Sequence, residues 1–223
     1  MTSAPRILVV VAVDAEKQAL GTACLQCPQV QVVVGGIGRT NAACAVAEQL
    51  ARGSVAVVVS TGIAGALPGS GLALGDVVVA TECVYAEEGV MTPSGFQDMA
   101  AMRFPLGDFA GNRVPVDARL AAAFAHLGRC APIATVATCS GTNALAQAIA
   151  QRTGAVAEAM EGAAVVHAAR RFKVPAIEVR AISNTTGDRA AQVWDMARGM
   201  AALQAVGAAV VAAAAAAATQ TRQ

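Results

Sequence analysis

The chain alternates between short, continuous apolar runs and longer segments rich in alanine. Six apolar runs, dominated by Val and Ile, have the length of buried strands and cover residues 7–13, 30–34, 55–60, 76–80, 133–137 and 176–180. Helical segments are predicted at residues 41–52 and 162–172, with a closing helix over residues 199–221. Buried strands that alternate with helices predict an α/β fold with a central mixed sheet flanked by helices, formed as a single domain by residues 1–223.

Residues 86–112 depart from this pattern. They contain two prolines, several glycines and three phenylalanines, at positions 96, 104 and 109, without helical or strand spacing. A segment of this length and composition inside a compact domain is typical of a functional loop rather than a linker.

Composition and charge argue against two classes of partner, nucleic acids and membranes. The 223 residues are 56% apolar and carry 16 Lys+Arg against 15 Asp+Glu, a formal net charge of +1. This balance argues against a nucleic-acid partner. The uncharged stretch at residues 199–221 is long enough to span a bilayer, but it is mostly alanine, so we expect a packed helix and no membrane partner. The first residues show no signal-peptide pattern, which predicts a cytoplasmic protein.

Cofactor and metal motifs are incomplete. Cys24 and Cys27 form a CxxC pair, yet no second pair of ligands stands at a matching spacing, so no metal is expected. Gly36 and Gly38 resemble half of a dinucleotide fingerprint whose third glycine is replaced by Asn41. No P-loop or nucleophile elbow is present, and we therefore expect no cofactor.

Two carboxylates lie three residues apart before the helical segment at residues 162–172. We expect Glu158 to pair with Arg152 or Arg180 in a structural role. Glu161 precedes an apolar run that offers it no partner, which favours a functional role.

Two further polar residues follow predicted strands. Glu16 comes shortly after the first strand and Asn184 after the last, at the edge where open α/β sheets bind ligands. Taken alone, Glu16 can equally serve a helix dipole, and Asn184 can be a turn residue. Both alternatives stay open on these residues alone.

Six segments together resemble the nucleoside phosphorylase and nucleosidase superfamily. The resemblance runs nearly end to end but leaves residues 86–112 unmatched. Its segments are VAVDAE at 11–16, GGIGRTNA at 35–42, STGIAGA at 60–66, LGDVV at 74–78, MEGAA at 160–164 and VRAISN at 179–184.

The resemblance implies a role for individual residues. Glu161 is similar to the glutamate that binds the ribose hydroxyls, with Met160 against the sugar, and Glu16 to the general base that activates water. Asn184 stands where adenine-specific members carry Asp. The remaining expected substrate-binding residues are Gly62, Gly65, Ser140, Thr142, Ser183, Arg189 and Trp194.

The residues favour hydrolysis over phosphorolysis. A phosphate site needs Arg and hydroxyl donors, and the third-strand segment offers Ser60 and Thr61 without an Arg. A carboxylate at position 16 would repel phosphate but suits the deprotonation of water. Arg39, in a glycine-rich turn, is the one residue that weakens this argument.

The base and the 5′ substituent are predicted from the segment around residue 184. A neutral Asn amide can donate to O6 or N7 of a 6-oxopurine. Within the superfamily, residues 180–189 with Trp194 are most similar to the futalosine hydrolases, which release hypoxanthine from futalosine in menaquinone biosynthesis. The carboxyphenyl group of that substrate is expected to meet Arg189 or Arg198 and to stack on Trp194, although Trp194 can equally be core filler.

Three other functions are weighed against this one. A methylthioadenosine/S-adenosylhomocysteine nucleosidase is disfavoured by Asn184 and by the lack of an aromatic residue near residues 140–145, and a purine nucleoside phosphorylase by the poor phosphate site. A non-catalytic nucleoside-binding module is disfavoured by the joint presence of Glu16, Glu161 and Asn184. The resemblance also implies a homodimer or larger homo-oligomer.

Overall fold

The computed structural model describes residues 6–53 and 55–220. The strands are β1 (Arg6–Val11), β2 (Val30–Val34), β3 (Val55–Ala66), β4 (Val77–Tyr85), β5 (Gly89–Thr92), β6 (Gly95–Asp98), β7 (Arg113–Pro115), β8 (Arg129–Thr135), β9 (Ala157–Ala159) and β10 (Ala176–Thr185). The helices are α1 (Asp14–Ala19), α2 (Thr22–Leu25), α3 (Arg39–Ala51), α4 (Ala118–Phe124), α5 (Asn143–Thr153), α6 (Gly162–Arg171) and α7 (Met196–Gln220).

Eight strands form one mixed sheet that partly closes on itself. Strand β3 pairs in parallel with β1 and β10 and, through its last two residues, antiparallel with β9. Strands β8 and β4 complete a ring between β9 and β10, and β2 and β7 lie on its flanks. The mixed α/β fold predicted from the sequence is confirmed.

Helices cover both faces of this sheet. Helices α3 and α6 pack on one face through side chains such as Val46 and Val165. Helix α7 covers the other face with Leu203, Val206 and Val210, which are fully buried. Because the strands are buried on both faces, they are apolar runs without alternation.

Four strands, β3, β4, β8 and β10, are longer than the apolar runs that revealed them, and the extensions of β3 and β10 carry predicted site residues. Residues 61–66 extend β3, and residues 181–185 extend β10, and these two extensions pair with each other. The glycine, serine and asparagine residues that were expected in loops after the strands therefore lie within the strands. The hydrogen-bonded pairing of β3 with β10 continues through them. The predicted site residues Gly62, Gly65, Ser183 and Asn184 all belong to these extensions.

Residues 86–112 are not one long loop. They contain the antiparallel hairpin of β5 and β6. The buried Asn112 ties this segment down, since its Nδ2 donates to the carbonyls of Tyr85 and Glu88 at 2.8 Å and its Oδ1 accepts from Met99 N at 3.1 Å.

Helix α7 is long and apolar enough over Met196–Ala213 to cross a membrane by length and composition. One face of it nevertheless packs on the sheet, and its glycines permit the close approach. A Cβ at Gly199 would lie 2.9 Å from Ser183 Cβ, and one at Gly207 would lie 2.9 Å from the carbonyl carbon of Leu20. The helix begins at Met196, three residues before its predicted start. Its predicted end, Thr221, lies outside the described residues.

Candidate active site

A cavity of about 500 Å³ opens where β1 ends and where β3, β9 and β10 lie side by side. Nine of the eleven predicted site residues line it: Glu16, Gly65, Ser140, Met160, Glu161, Ser183, Asn184, Arg189 and Trp194. The strand pairing places them together although they are spread over nearly 180 positions of sequence.

Glu16 is buried at the floor of the cavity, one turn into α1. Its Oε2 accepts hydrogen bonds from the backbone N–H of Ala12 at 2.8 Å and Val13 at 3.3 Å, and its Oε1 accepts from Ile63 N at 3.0 Å. These backbone donors orient the carboxylate, so Glu16 is held in place by the ends of two strands rather than by a cation.

Gly62 does not line the cavity but lies behind Glu16. Its φ is +150°, and a Cβ there would overlap Glu16 Oε1 and lie 2.8 Å from both Glu16 Cδ and Arg180 Nη1. The absence of a side chain at position 62 is therefore what allows the Glu16 carboxylate and the Arg180 guanidinium to approach this strand.

Glu161 has a charged partner, contrary to the expectation from its apolar sequence neighbours. Arg180 Nη2 donates to Glu161 Oε2 at 3.1 Å, and Gly38 N donates to Glu161 Oε1 at 3.0 Å. The sequence near Glu161 does not reveal this partner, because Arg180 belongs to β10. It follows the fully buried Glu178 by two residues. Each oxygen of Glu161 holds one donor and keeps acceptor capacity toward the cavity.

Arg180 joins Glu161 to Glu178 in a buried network. Its Nε donates to Glu178 Oε1 at 2.9 Å. Burial opposes the charge of Arg180, but the carboxylates of Glu178 and Glu161 outweigh it and raise the pKa of the guanidinium. Burial also raises the pKa of Glu178, despite Arg180. Arg180 is thus committed to two carboxylates and lies beneath the cavity rather than in it.

Glu158 also lines the cavity, and it pairs with neither Arg152 nor Arg180. Its Oε1 accepts from Ser140 N at 2.7 Å and its Oε2 from Ser140 Oγ at 2.6 Å. Burial raises the pKa of this carboxyl group. The expectation of a structural ion pair is wrong because β9 turns the side chain toward the segment after β8. The only sign in the sequence that Glu158 belongs to the site was its position three residues before Glu161.

Asn184 lies in β10 next to Gly65 of β3, and it is nearly buried. Ser183 Oγ donates to its Oδ1 at 2.9 Å, and its Nδ2 donates to Thr185 O at 3.0 Å. The amide keeps one hydrogen and one lone pair for a ligand.

Arg189 and Trp194 form one wall of the cavity. The guanidinium carbon of Arg189 lies 4.7 Å from the centre of the Trp194 ring, a cation–π geometry. Gln192 Oε1 accepts from Arg189 Nη1 at 2.8 Å and from Trp194 Nε1 at 3.0 Å. Trp194 is 45% exposed, so it is not core filler. Nothing in the sequence pointed to Gln192.

Three predicted or alternative residues lie elsewhere. Thr142 does not line the cavity. Its hydroxyl caps α5 by accepting from Leu145 N at 3.2 Å. Arg198 lies against Gly75, where a Cβ would meet its Cγ at 2.8 Å. Arg39 is paired with Glu87 and Glu88 rather than free for a phosphate.

The cysteines and histidines form no metal cluster within residues 6–53 and 55–220. Cys24 is buried in α2, and burial raises the pKa of its thiol to about 11. Cys24 and Cys27 are both free.

A sequence model described as the phosphorylase superfamily matches residues 19–219. The chain belongs to the phosphorylase superfamily. This family membership confirms the resemblance carried by the six sequence segments.

Among superfamily members, the futalosine hydrolase of Acidothermus cellulolyticus is 36% identical to this chain, over 74% of this chain and 68% of that protein. The futalosine hydrolase of Thermus thermophilus is 38% identical, over 75% of each chain. The solved structure of a 5′-methylthioadenosine/S-adenosylhomocysteine nucleosidase from S. pneumoniae, bound to a transition-state inhibitor, has a TM-score of 0.75 at 22% identity and covers 93% of this chain and 99% of its own. That likeness establishes the shared fold.

Proposed function

We propose that the protein hydrolyses the N-glycosidic bond of futalosine, releasing hypoxanthine and dehypoxanthine futalosine for menaquinone biosynthesis. The observation that carries the proposal is that one cavity joins Glu16, Glu161 and Asn184 in a chain 36–38% identical to two futalosine hydrolases. Each of these side chains matches one requirement of the reaction.

Glu161 binds the ribose hydroxyls. Its two oxygens each retain acceptor capacity, which suits two neighbouring sugar hydroxyls, and Arg180 and Gly38 fix its orientation. Met160 lies beside it in the cavity wall, where it can pack on the sugar. Cleavage builds positive charge on the ribosyl ring, and the buried Glu161 carboxylate beside the sugar stabilises that charge.

Glu16 is the general base. Its carboxylate is oriented by three backbone donors and borders the cavity, as activation of a water on one face of the sugar requires. Asn184 pairs with Gly65, two residues after Ile63 in β3, and its free amide hydrogen can meet N7 or O6 of the departing purine. The base leaves as the water attacks from the opposite face, as in inverting glycosidases.

The charges in the cavity support water over phosphate as the nucleophile. Three carboxylates, Glu16, Glu158 and Glu161, line it. The nearby Arg180 is committed to Glu161 and Glu178. A phosphate dianion beside these three carboxylates would face like charges, and Arg180 would not be free to neutralise it.

We assign the 5′ substituent to Arg189 and Trp194. An aromatic ring can stack on Trp194, which is partly exposed at the cavity wall, and a carboxylate can pair with Arg189. Of the two arginines considered from the sequence, only Arg189 borders the cavity in the described structure.

We expect a cytoplasmic homodimer or larger homo-oligomer. This expectation comes from the resemblance to the superfamily, and the exposed apolar side chains of Ile37, Met91, Phe104 and Val193 are compatible with contact to a second copy. Size-exclusion chromatography with light scattering gives the mass, and a strictly monomeric species at micromolar concentration would contradict this expectation.

The test of the function is a substrate panel. The purified protein is incubated with futalosine, methylthioadenosine and inosine, each with and without phosphate, and the released bases are identified by chromatography. The proposal predicts hypoxanthine from futalosine without phosphate. Adenine from methylthioadenosine as the main activity, or strict dependence on phosphate, would overturn it.

A further inference from the structure

The paired strands place Glu158 opposite Asn184, with Gly65 between them. Strand β3 pairs Gly65 with Asn184 of β10 on one edge and with Glu158 of β9 on the other. Two strand spacings, about 9–10 Å, therefore separate the two backbones. A Cβ at Gly65 would lie 3.0 Å from Asn184 Nδ2, so the glycine allows the Asn184 amide to lie against β3. Asn184 and Glu158 both line the cavity.

The amide of Asn184 does not by itself distinguish a 6-oxopurine from a 6-aminopurine. It retains one N–H and one carbonyl lone pair, so it can donate to O6 or accept from a 6-amino group. A second group must decide between the two bases.

The bases also differ at N1, which is next to C6. A 6-oxopurine carries a hydrogen on N1 and is a donor there, whereas N1 of a 6-aminopurine is an acceptor. Ser140 has no donor left for an acceptor, because its N–H and its hydroxyl both donate to Glu158. Its carbonyl accepts from Gln192 Nε2 at 2.8 Å. What remains toward the cavity is the free acceptor capacity of the Glu158 carboxylate.

We propose that Glu158 selects the 6-oxopurine by accepting the N1–H of the base, while Asn184 contacts its O6 and N7 edge. This inference rests on the proposed cleavage of a purine nucleoside in this cavity. A 6-aminopurine would place its N1 lone pair against the carboxylate of Glu158, with neither donor of Ser140 available to relieve the mismatch. Mispaired polar groups in a buried site discriminate strongly between such analogues.

Glu158→Gln tests the selection with little change in shape. The amide can still accept from Ser140 N, and the Ser140 hydroxyl can rotate to accept from its NH₂ group. The measured quantities are kcat/KM for futalosine and for its 6-amino analogue, together with the Kd of free hypoxanthine and of free adenine. Glu82→Gln, which alters a carboxylate of β4 paired with Arg113 outside the cavity, is the control.

The inference predicts that the wild type prefers the 6-oxo compounds and that Glu158→Gln lowers this preference by about 100-fold or more, in kcat/KM and in Kd alike. Hypoxanthine should lose affinity while adenine gains it, and Glu82→Gln should keep the wild-type ratio. Equal losses on both bases, with the preference unchanged, would show that Glu158 only anchors Ser140 and would overturn the inference.

Two further readouts separate this inference from the proposed function. In the wild type, 1-methylhypoxanthine, which lacks the N1 hydrogen, should bind more weakly than hypoxanthine, and equal Kd values would contradict a role for N1–H. If futalosine is not cleaved, the proposed function fails, but the Kd values still decide the role of Glu158. If futalosine is cleaved and the base preference survives Glu158→Gln, the selection by Glu158 alone fails.

Discussion

Gly62 lies directly behind the carboxylate of Glu16, with a φ of +150° and no space for a Cβ. The position of the general base thus depends on a residue that does not border the cavity. A methyl group at position 62 would displace Glu16, Arg180 or the strand itself.

Gly62→Ala should therefore reduce kcat/KM by at least about 100-fold, since displacement of an oriented catalytic group by an ångström has effects of this size. The overlap should also destabilise the fold by about 1–3 kcal/mol. Urea unfolding and steady-state assays measure the two effects. Gly69→Ala is the matched control, because Gly69 has a φ of +75° with nothing within 4 Å of its Cβ position. That variant should lose stability and keep activity; equal activity loss in both variants would contradict the role of Gly62.

Replacing Glu16 by Gln removes the base while the side chain keeps its shape. We expect kcat for futalosine to fall by about 10²–10⁴-fold, with a smaller change in KM, because general base catalysis contributes on that scale. Asp14→Asn, an exposed carboxylate at the start of the same helix, is the control and should remain active. A Glu16→Gln enzyme with kcat within a few-fold of wild type would move the base to another residue.

Arg189→Ala should weaken the binding of the carboxylate on the 5′ side. The KM for futalosine is expected to rise by about 10-fold or more, the size of a lost charge-assisted hydrogen bond, and any cleavage of inosine should be unaffected. Arg198→Ala should leave both substrates unchanged, because its side chain lies against Gly75. Losses of equal size on futalosine and inosine would refute the assignment of Arg189.

We expect His167 to make the stability of the protein depend on pH. Its Nδ1 lies 3.3 Å from the Tyr85 hydroxyl, its ring packs edge-on against Phe109 at 4.9 Å, and its Nε2 is buried without a hydrogen-bond partner in the described structure. Burial lowers the pKa of His167, and the nearby Arg171 and Arg170 lower it further, while Asp108 opposes them.

Because the folded pKa of His167 lies below the unfolded value of about 6.5, the unfolded chain binds the proton first as the pH falls. The contribution of His167 to stability is complete above that value and is lost as the pH falls through the folded pKa. Thermal unfolding of the wild type between pH 7.5 and 5 should show this loss, and His167→Asn should reduce the slope. His126→Asn, at an exposed position, should keep the wild-type slope. An unchanged slope in His167→Asn would contradict the prediction.

The apolar runs revealed the sheet but not where its strands end. Val30–Val34 was predicted with its observed bounds, whereas β3 and β10 continue through glycines and polar residues that are typical of turns. Their pairing with each other maintains the ladder there, and such long-range pairing leaves no local signal. The hairpin β5–β6 was missed for a different reason, because its strands are only four residues long and have little apolar content.

The candidate site shows the same division. Residues with a family motif, such as Glu16 and Glu161, were found from the sequence and do line the cavity. The hydrogen bonds that orient the carboxylates were not predicted, because Arg180 reaches Glu161, and Ser140 reaches Glu158, from strands or segments that are distant in sequence. A side chain whose role depends on such contacts is recognised only once the fold places its neighbours.

The most direct test of the central claim is the identity of the sugar product when futalosine reacts at saturating phosphate. Mass spectrometry distinguishes free dehypoxanthine futalosine from its 1-phosphate. Hydrolysis predicts stoichiometric hypoxanthine together with the free sugar product, at a rate that phosphate does not increase. Formation of the sugar 1-phosphate, or no release of hypoxanthine, would contradict it.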